Sequence, residues 1–328
     1  MSKPESHSIL LEVQDLVINF ALRGGDLTAL NGISFSLNQG ERLGLVGESG
    51  AGKSVAGFSI INLISKPGYI AKGKVLFQGR EISALSFEQL RRIRGNGINM
   101  VFQDPMMTLN PVLTIGIQMV ETIKAHQEIS DQEAAAMAVD KLRQVHIPSP
   151  EKRLTQYPHE FSGGMRQRII IAIALLNNPQ LIIADEPTTA LDVTIQAEIM
   201  DLFLELCSQQ NMGLILITHD LAVVSETTEK MAVMYAGRIV EQGPTDEVIA
   251  DPQHPYTQGL IAALPQTEHR GTRLNQIPGT MPILTSIPPG CSFHPRCTKA
   301  RDICSVYTPE LAPTQARERL VACHLLQP

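Results

Sequence analysis

The chain has 328 residues, 43% of them apolar, and a formal charge of -6 at pH 7, which suits a globular protein with a sizeable core. Charged residues make up only 18%, and no basic stripe runs along the sequence to neutralise the phosphates of a nucleic acid, so nucleic acid is not an expected partner. No charged-then-apolar leader opens it, and its most apolar run, 169–176, is far short of the roughly 20 residues that cross a bilayer, so any membrane role is expected to be peripheral.

Residues 9–100 read as short strands over 10–13, 33–37, 42–46, 73–77 and 98–102, punctuated by Gly and Asn, with one helix after Gly52. From 114 to 145 the pattern turns helical, and 131–145 carries Ala135, Val139 and Leu142 near helical spacing, which predicts a helical insertion. A strand at 181–184, a helix at 193–209 and a strand at 214–217 follow in the rhythm of a parallel sheet flanked by helices. Near Pro278 the composition becomes rich in Pro and Gly (IPGTMPILTSIPPG), an extended connector into a tail that holds four of the five cysteines.

Gly47-Glu48-Ser49-Gly50-Ala51-Gly52-Lys53-Ser54 matches G-x-x-x-x-G-K-[ST] between an apolar run and a predicted helix. Glycines let successive backbone N–H groups turn onto a phosphate, Lys53 adds a mobile cation, and the Ser54 hydroxyl suits the shell of a Mg²⁺ ion. A second carboxylate is needed to hold Mg²⁺ from the far side, and Asp185 stands directly after the apolar run 181–184. Glu186, one residue on, suits a base that takes a proton from water attacking the γ-phosphate. Between these motifs, Ser162-Gly163-Gly164 opens an apolar helix, whose free N–H groups and positive dipole end favour an anion.

An SGG signature between the phosphate loop and the acidic strand resembles the ABC ATPase family. Gln103 in VFQDP, Asp192 in TTALD and His219 in LITHD occur in the family's order, and Phe20 stands where the family has an aromatic that stacks on adenine. Met165 departs from the glutamine common after SGG, which puts one polar contact in doubt but leaves Ser162, Gly163 and Gly164 intact. Within the family, QDPMMTLNP, HPYT and PPGCSFHPRC are similar to the ATPase subunits of oligopeptide, dipeptide and nickel importers, over essentially the whole chain.

The resemblance implies an α/β P-loop cassette over 9–265, with a parallel-sheet core, an antiparallel β subdomain and a helical insertion at about 104–165. A small Cys-containing extension follows over 266–328. Mg²⁺ would be held by Ser54, Gln103 and Asp185, with Glu186 and His219 catalytic and the remaining motif residues binding ATP. Its implied partners are a second, non-identical ATPase, two transmembrane permease subunits and an extracytoplasmic solute-binding protein, with this chain at the cytoplasmic face of the inner membrane. In the family two cassettes bind head to tail, so that Ser162, Gly163 and Gly164 of one chain close over the phosphate loop of the other. A soluble ABC ATPase acting on nucleic acid or ribosomes would share every nucleotide motif, but the single cassette, the absence of long heptad arms and the acidic balance argue against it. A nucleotide sensor without turnover is disfavoured by Lys53, Asp185, Glu186 and His219. The cargo is not legible in this chain.

Cys291, Cys297, Cys304 and Cys323 are spaced C-x5-C-x6-C-x18-C. Disulfides suit a reducing cytoplasm poorly. The spacing admits an iron–sulfur cluster, a zinc ion, or unligated or redox-paired thiols, zinc being disfavoured by the lack of a C-x2-4-C pair. The subfamily likeness suggests a [4Fe-4S] cluster, with His294 and His324 as adjacent substitutes.

Overall fold

A computed structural model describes residues 8–104, 108–189, 192–264, 276–314 and 318–326. It divides into two compact units, one made of Met1–Ala84 with Leu216–Pro328 and the other of Leu85–Ile215. Pro105, Met106 and Met107 of the QDPMM run, and Ala190 and Leu191 of TTALD, lie outside the described residues.

The first unit opens with two 14-residue strands, Ile9–Leu22 and Gly25–Asn38, paired antiparallel. Gly68–Phe77 pairs with the other side of Ile9–Leu22, and Arg80–Glu81 completes a four-stranded sheet. These strands run well beyond the predicted 10–13 and 33–37 because a bulge hides their alternation. Leu10, Leu11 and Val13 are buried, then Leu16 and Ile18, so from Leu11 onward the buried parity switches from odd to even. The register shifts at that step, where Asp15 takes a left-handed φ of 45°. One extra residue on a bulged strand turns every later side chain to the opposite face.

A second sheet in this unit runs in the order Ala312–Pro313, Leu320–Val321, Arg238–Pro244, Lys230–Tyr235, Arg42–Val46. Arg42–Val46 and Lys230–Tyr235 pair in parallel, and both are buried almost throughout, as a strand covered on both faces requires. The Cys-bearing tail joins this sheet, since its strand Leu320–Val321 pairs antiparallel with Arg238–Pro244. Glu241, 0% exposed, sits at that junction. Its carboxylate accepts from Arg319 (2.7 Å) and from the backbone N–H groups of Gln253 and His254 (2.9 Å each). A buried charge survives only when paired in this way.

The second unit is mainly helical. Its helices include Phe87–Ile93, Ile115–Lys124, Asp131–Gln144, Gly163–Leu175 and Val193–Gln210, with the parallel strands Ile98–Val101 and Leu181–Asp185. The strand Gly213–Thr218 begins beside Leu181–Asp185 and contains the division between the units. Phe87–Ile93 escaped the sequence reading although Ser86 and Gln89 form a capping box at its start. In Asp131–Gln144 the fully buried stripe is Ala134, Ala138 and Leu142, one residue earlier than predicted for the first two, and Ala135 and Val139 are half-buried. Among the described residues no helix is long and apolar enough to cross a membrane.

Replacing Glu241 with Ala strands the Arg319 guanidinium and two N–H groups in a buried site. Removing one partner of a buried ion pair costs about 3–5 kcal/mol. The urea midpoint of Glu241→Ala is expected to fall accordingly, and Glu241→Gln, which keeps the shape and one acceptor, to fall less.

Candidate functional site

In the first unit, Arg42–Val46 leads into residues 47–52, and Lys53–Ile60 continues as a helix. Glycine is required at both ends of this turn. A Cβ on Gly47 would lie 2.3 Å from the Met234 carbonyl oxygen, and Gly52 takes a φ of 101° with Leu30 and the Ala29 carbonyl close by. The loop is tied down by bonds from the Ala51 N–H to the Glu48 carbonyl (3.1 Å) and from the Gly237 N–H to the Ala51 carbonyl (2.9 Å). Lys53 is only 5% exposed, and its ammonium donates to the carbonyls of Gly47 (2.8 Å) and Glu48 (3.2 Å). The ammonium is thus folded back against a loop whose position 50 faces open space. Such a loop can take a phosphate chain, and Ser54 stands half-buried in the first helical turn beyond it, where a hydroxyl could serve a magnesium ion.

The same unit carries Phe20 and His219. Phe20 pairs across the strands with Gly68, and a Cβ on that glycine would lie 2.8 Å from the ring, so glycine leaves room for the half-buried aromatic. His219 is exposed at the end of Gly213–Thr218. Beside it the Asp220 carboxylate accepts from the N–H groups of Ala222 (2.9 Å) and Val223 (3.4 Å) and starts the helix Leu221–Thr227.

The acidic motif belongs to the second unit. Leu181–Asp185 is buried along its whole length, Asp185 to 2% exposure, and Glu186 breaks out of the strand with a left-handed φ of 45°. The Glu186 carboxylate accepts from Gln103 Nε2 (3.1 Å) and from Thr189 Oγ1 (2.8 Å). Gln103 and Glu186, far apart in sequence, are therefore joined, and Thr189 is a partner the sequence reading missed. Ser162 caps Gly163–Leu175, its Oγ accepting from the Met165 N–H (3.4 Å), while Ser162 and Gly163 lie open to solvent. A Cβ on Gly164 would meet Ile195 at 2.9 Å, which shows how closely this helix approaches Val193–Gln210. Asp192 occupies the N-cap of that second helix, exposed and without a side-chain capping bond.

Cys291, Cys297, Cys304 and Cys323 are all free thiols and line one small cavity, with His254, Phe293, His294 and His324 around it. Burial pushes the Cys291 thiol up to about 11, and burial likewise raises Cys297 and Cys323, with the neighbouring thiols adding to all three shifts. The two histidines suggested as substitute ligands each hold one ring nitrogen against a backbone carbonyl. His294 Nδ1 lies 2.9 Å from the Cys291 carbonyl oxygen, and His324 Nε2 lies 2.8 Å from that of Tyr307. Among the described residues no group of three or more His, Cys, Asp or Glu stands in a metal-holding arrangement.

The family model described as ABC transporter matches residues 30–189, and the one described as oligopeptide/dipeptide transporter, C-terminal region, matches 240–304. The chain is 51% identical over 296 residues to the oligopeptide transport ATP-binding protein OppD of Bacillus subtilis (strain 168), covering 90% of this chain and 83% of that one. It is 48% identical over 310 residues to the protein of the same name from Escherichia coli (strain K12), covering 94% and 92%. The dipeptide transport ATP-binding protein DppD of Bacillus subtilis (strain 168) is 48% identical over 298 residues, covering 90% and 88%. Among solved structures, the ATP-binding cassette MJ0796, a dimer in a post-hydrolysis state bound to ADP and Pi, aligns with a TM-score of 0.65 at 26% identity, covering 72% of this chain and 99% of that one. The phosphate loop and the acidic strand end both lie within the first matched segment, and the cysteine tail begins within the second. The chain belongs to the ABC transporter family, among its ATP-binding proteins that carry the oligopeptide/dipeptide transporter C-terminal region.

Proposed function

We propose that this protein is the ATP-hydrolysing subunit of a membrane importer for peptides, attached peripherally at the cytoplasmic face of the inner membrane. One observation carries the reading: a glycine-shaped loop closed on an inward-turned lysine stands in a chain whose C-terminal region matches that of oligopeptide/dipeptide transporters. The cassette corresponds to 9–265, with its helical insertion at about 104–165, and the extension to 266–328.

Residues 47–54 bind the phosphates, with the Lys53 ammonium among them and the Glu48 and Ala51 N–H groups engaged within the protein by Tyr256 Oη and the Glu48 carbonyl, and Phe20 stacks on the adenine. As the family resemblance implies, Ser54, Asp185 and Gln103 would hold Mg²⁺, which would screen the charge of the phosphates. Glu186 accepts a proton from water as the water oxygen bonds to the γ-phosphorus and the bond from that phosphorus to the bridging oxygen breaks, releasing ADP and phosphate. Gln103 and Thr189 hold the Glu186 carboxylate in place, and His219 completes the catalytic set. Ser162, Gly163 and Gly164 serve the phosphate loop of a second, non-identical ATPase, while Asp192 contributes to ATP binding. ATP favours the closed pair and its hydrolysis releases it, which gives transport a direction through two permease subunits supplied by an extracytoplasmic solute-binding protein.

The four tail thiols supply the number and softness of donors that a [4Fe-4S] cluster takes, and they share one cavity. A bound metal would take the four sulfurs as thiolates, and such a centre would hold together a tail poor in apolar residues. A single zinc ion is the alternative occupant.

Three measurements check this reading. Glu186→Gln should retain ATP and lose at least about 100-fold in turnover, the usual contribution of a positioned base, and cells carrying it should stop taking up peptides. Phosphate release within a few-fold of wild type, or unimpaired peptide uptake, overturns the role. Lys53→Ala removes a charge-assisted contact, and nucleotide affinity is expected to drop about tenfold or more in equilibrium binding. Anaerobically purified protein should be brown, with iron and acid-labile sulfide near four each per chain. Colourless protein with about one zinc per chain selects the alternative, and metal-free protein with an ordered tail removes both.

A further inference from the structure

The phosphate loop is not held by the cassette alone. Glu48, the second residue of the loop, makes contacts with both its backbone and its side chain to residues beyond position 250, all within the first unit. Its N–H donates to Tyr256 Oη at 2.9 Å. Its carboxylate accepts a two-pronged bond from Arg296, Nη1 to Oε2 at 2.7 Å and Nη2 to Oε1 at 3.0 Å. This fork geometry fixes direction as well as distance.

Each clamping residue is itself immobilised. Arg296 has a side chain only 5% exposed, donates from Nε to the Pro278 carbonyl (2.8 Å) and from Nη1 to Tyr235 Oη (3.4 Å), and stacks over the rings of Tyr235 and Phe293. Tyr256 is fully buried against the same two rings. Its own N–H donates to His254 Nδ1 (3.0 Å), and burial pushes that imidazole down to about 4, which keeps it neutral and able to accept. The His254 N–H in turn is anchored on buried Glu241.

The peptide between Gly47 and Glu48 is therefore pinned at both ends. Its N–H goes to Tyr256, and its carbonyl accepts from Lys53. Rotating that peptide would break both bonds and move the carbonyl that seats the phosphate-binding ammonium.

We propose that Arg296 and Tyr256 are positioning residues for the phosphate loop, so that seating of the cysteine-bearing tail sets the affinity for ATP. Arg296 closes the turn His294–Arg296 and directly precedes Cys297, with Cys291 on the other side of the turn. Displacing the tail withdraws the guanidinium from Glu48, frees the 47–48 peptide and loosens the seat of Lys53. This inference rests on the nucleotide-binding reading above, and its test separates the two failures.

ATP affinity and steady-state hydrolysis are measured on the full chain, the first with a fluorescent ATP analogue and the second in the assembled complex. Variants are Arg296→Ala, Arg296→Lys, Glu48→Ala, the Glu48→Ala/Arg296→Ala pair and Tyr256→Phe. Arg296→Ala is expected to weaken binding about tenfold and to raise KM by a similar factor while kcat moves far less. Arg296→Lys, which keeps the charge but loses the fork, should recover part of the affinity. The double variant should bind no worse than the weaker single one, because both remove one interaction. Should Arg296→Ala fail to fold, Tyr256→Phe keeps the packing and removes only the acceptor, and a several-fold loss of affinity is expected. Wild-type protein that binds no ATP overturns the nucleotide reading and this inference together. Wild-type binding with all folded variants within about twofold of it, or additive losses in the double variant, overturns the positioning role alone.

Discussion

A peptide group cannot turn its N–H and its C=O to the same side, and the phosphate loop is organised around that constraint. To grip an anion, the loop must turn amides inward, and every carbonyl left over needs a donor of its own. Lys53 serves two of these carbonyls and the Gly237 N–H serves a third. The price of such a loop is that few residue types tolerate its backbone, which is why Gly47 and Gly52 stand where a Cβ would strike Met234 or Leu30.

The buried charges of the first unit follow a related rule. Glu241 accepts from a guanidinium and two backbone N–H groups, and the guanidinium of Arg296 is shared among the Glu48 carboxylate, a carbonyl and a phenol. Both arrangements involve an arginine of the C-terminal tail, so the tail replaces a hydrophobic core of its own with directional bonds into the cassette. Directional bonds specify one seating where apolar contact would admit several.

Elements that carry their information locally were legible in the sequence. Residues 43–46 and 181–184 are uninterrupted apolar runs, and the phosphate loop between Val46 and Ser54 is written in consecutive residues. Asp131–Gln144 was recognised as a helix, although its buried stripe lies one residue away from the predicted Ala135 and Val139, since alanine spacing alone does not say which side of a helix meets its neighbour. The strand Ile9–Leu22 was underestimated because a bulge at Asp15 breaks the alternation that sequence reading relies on. At the site, the bond from Gln103 to Glu186 joins residues 83 positions apart, and that from Arg296 to Glu48 joins residues 248 apart. No local pattern encodes such pairings. The residues of HPYT and HPRC were noticed as family marks, but their contact with the phosphate loop is visible only once the chain is folded.

The separation of Glu48 from Arg296 also has a meaning in time. A ribosome adds roughly 5–20 residues per second, so the 248 positions between them take on the order of ten to fifty seconds to make. Throughout that interval the nascent chain already contains a complete phosphate-loop sequence, while the arginine that grips it does not yet exist. The loop therefore acquires this fastening only after the 248 residues that follow Glu48 have been made.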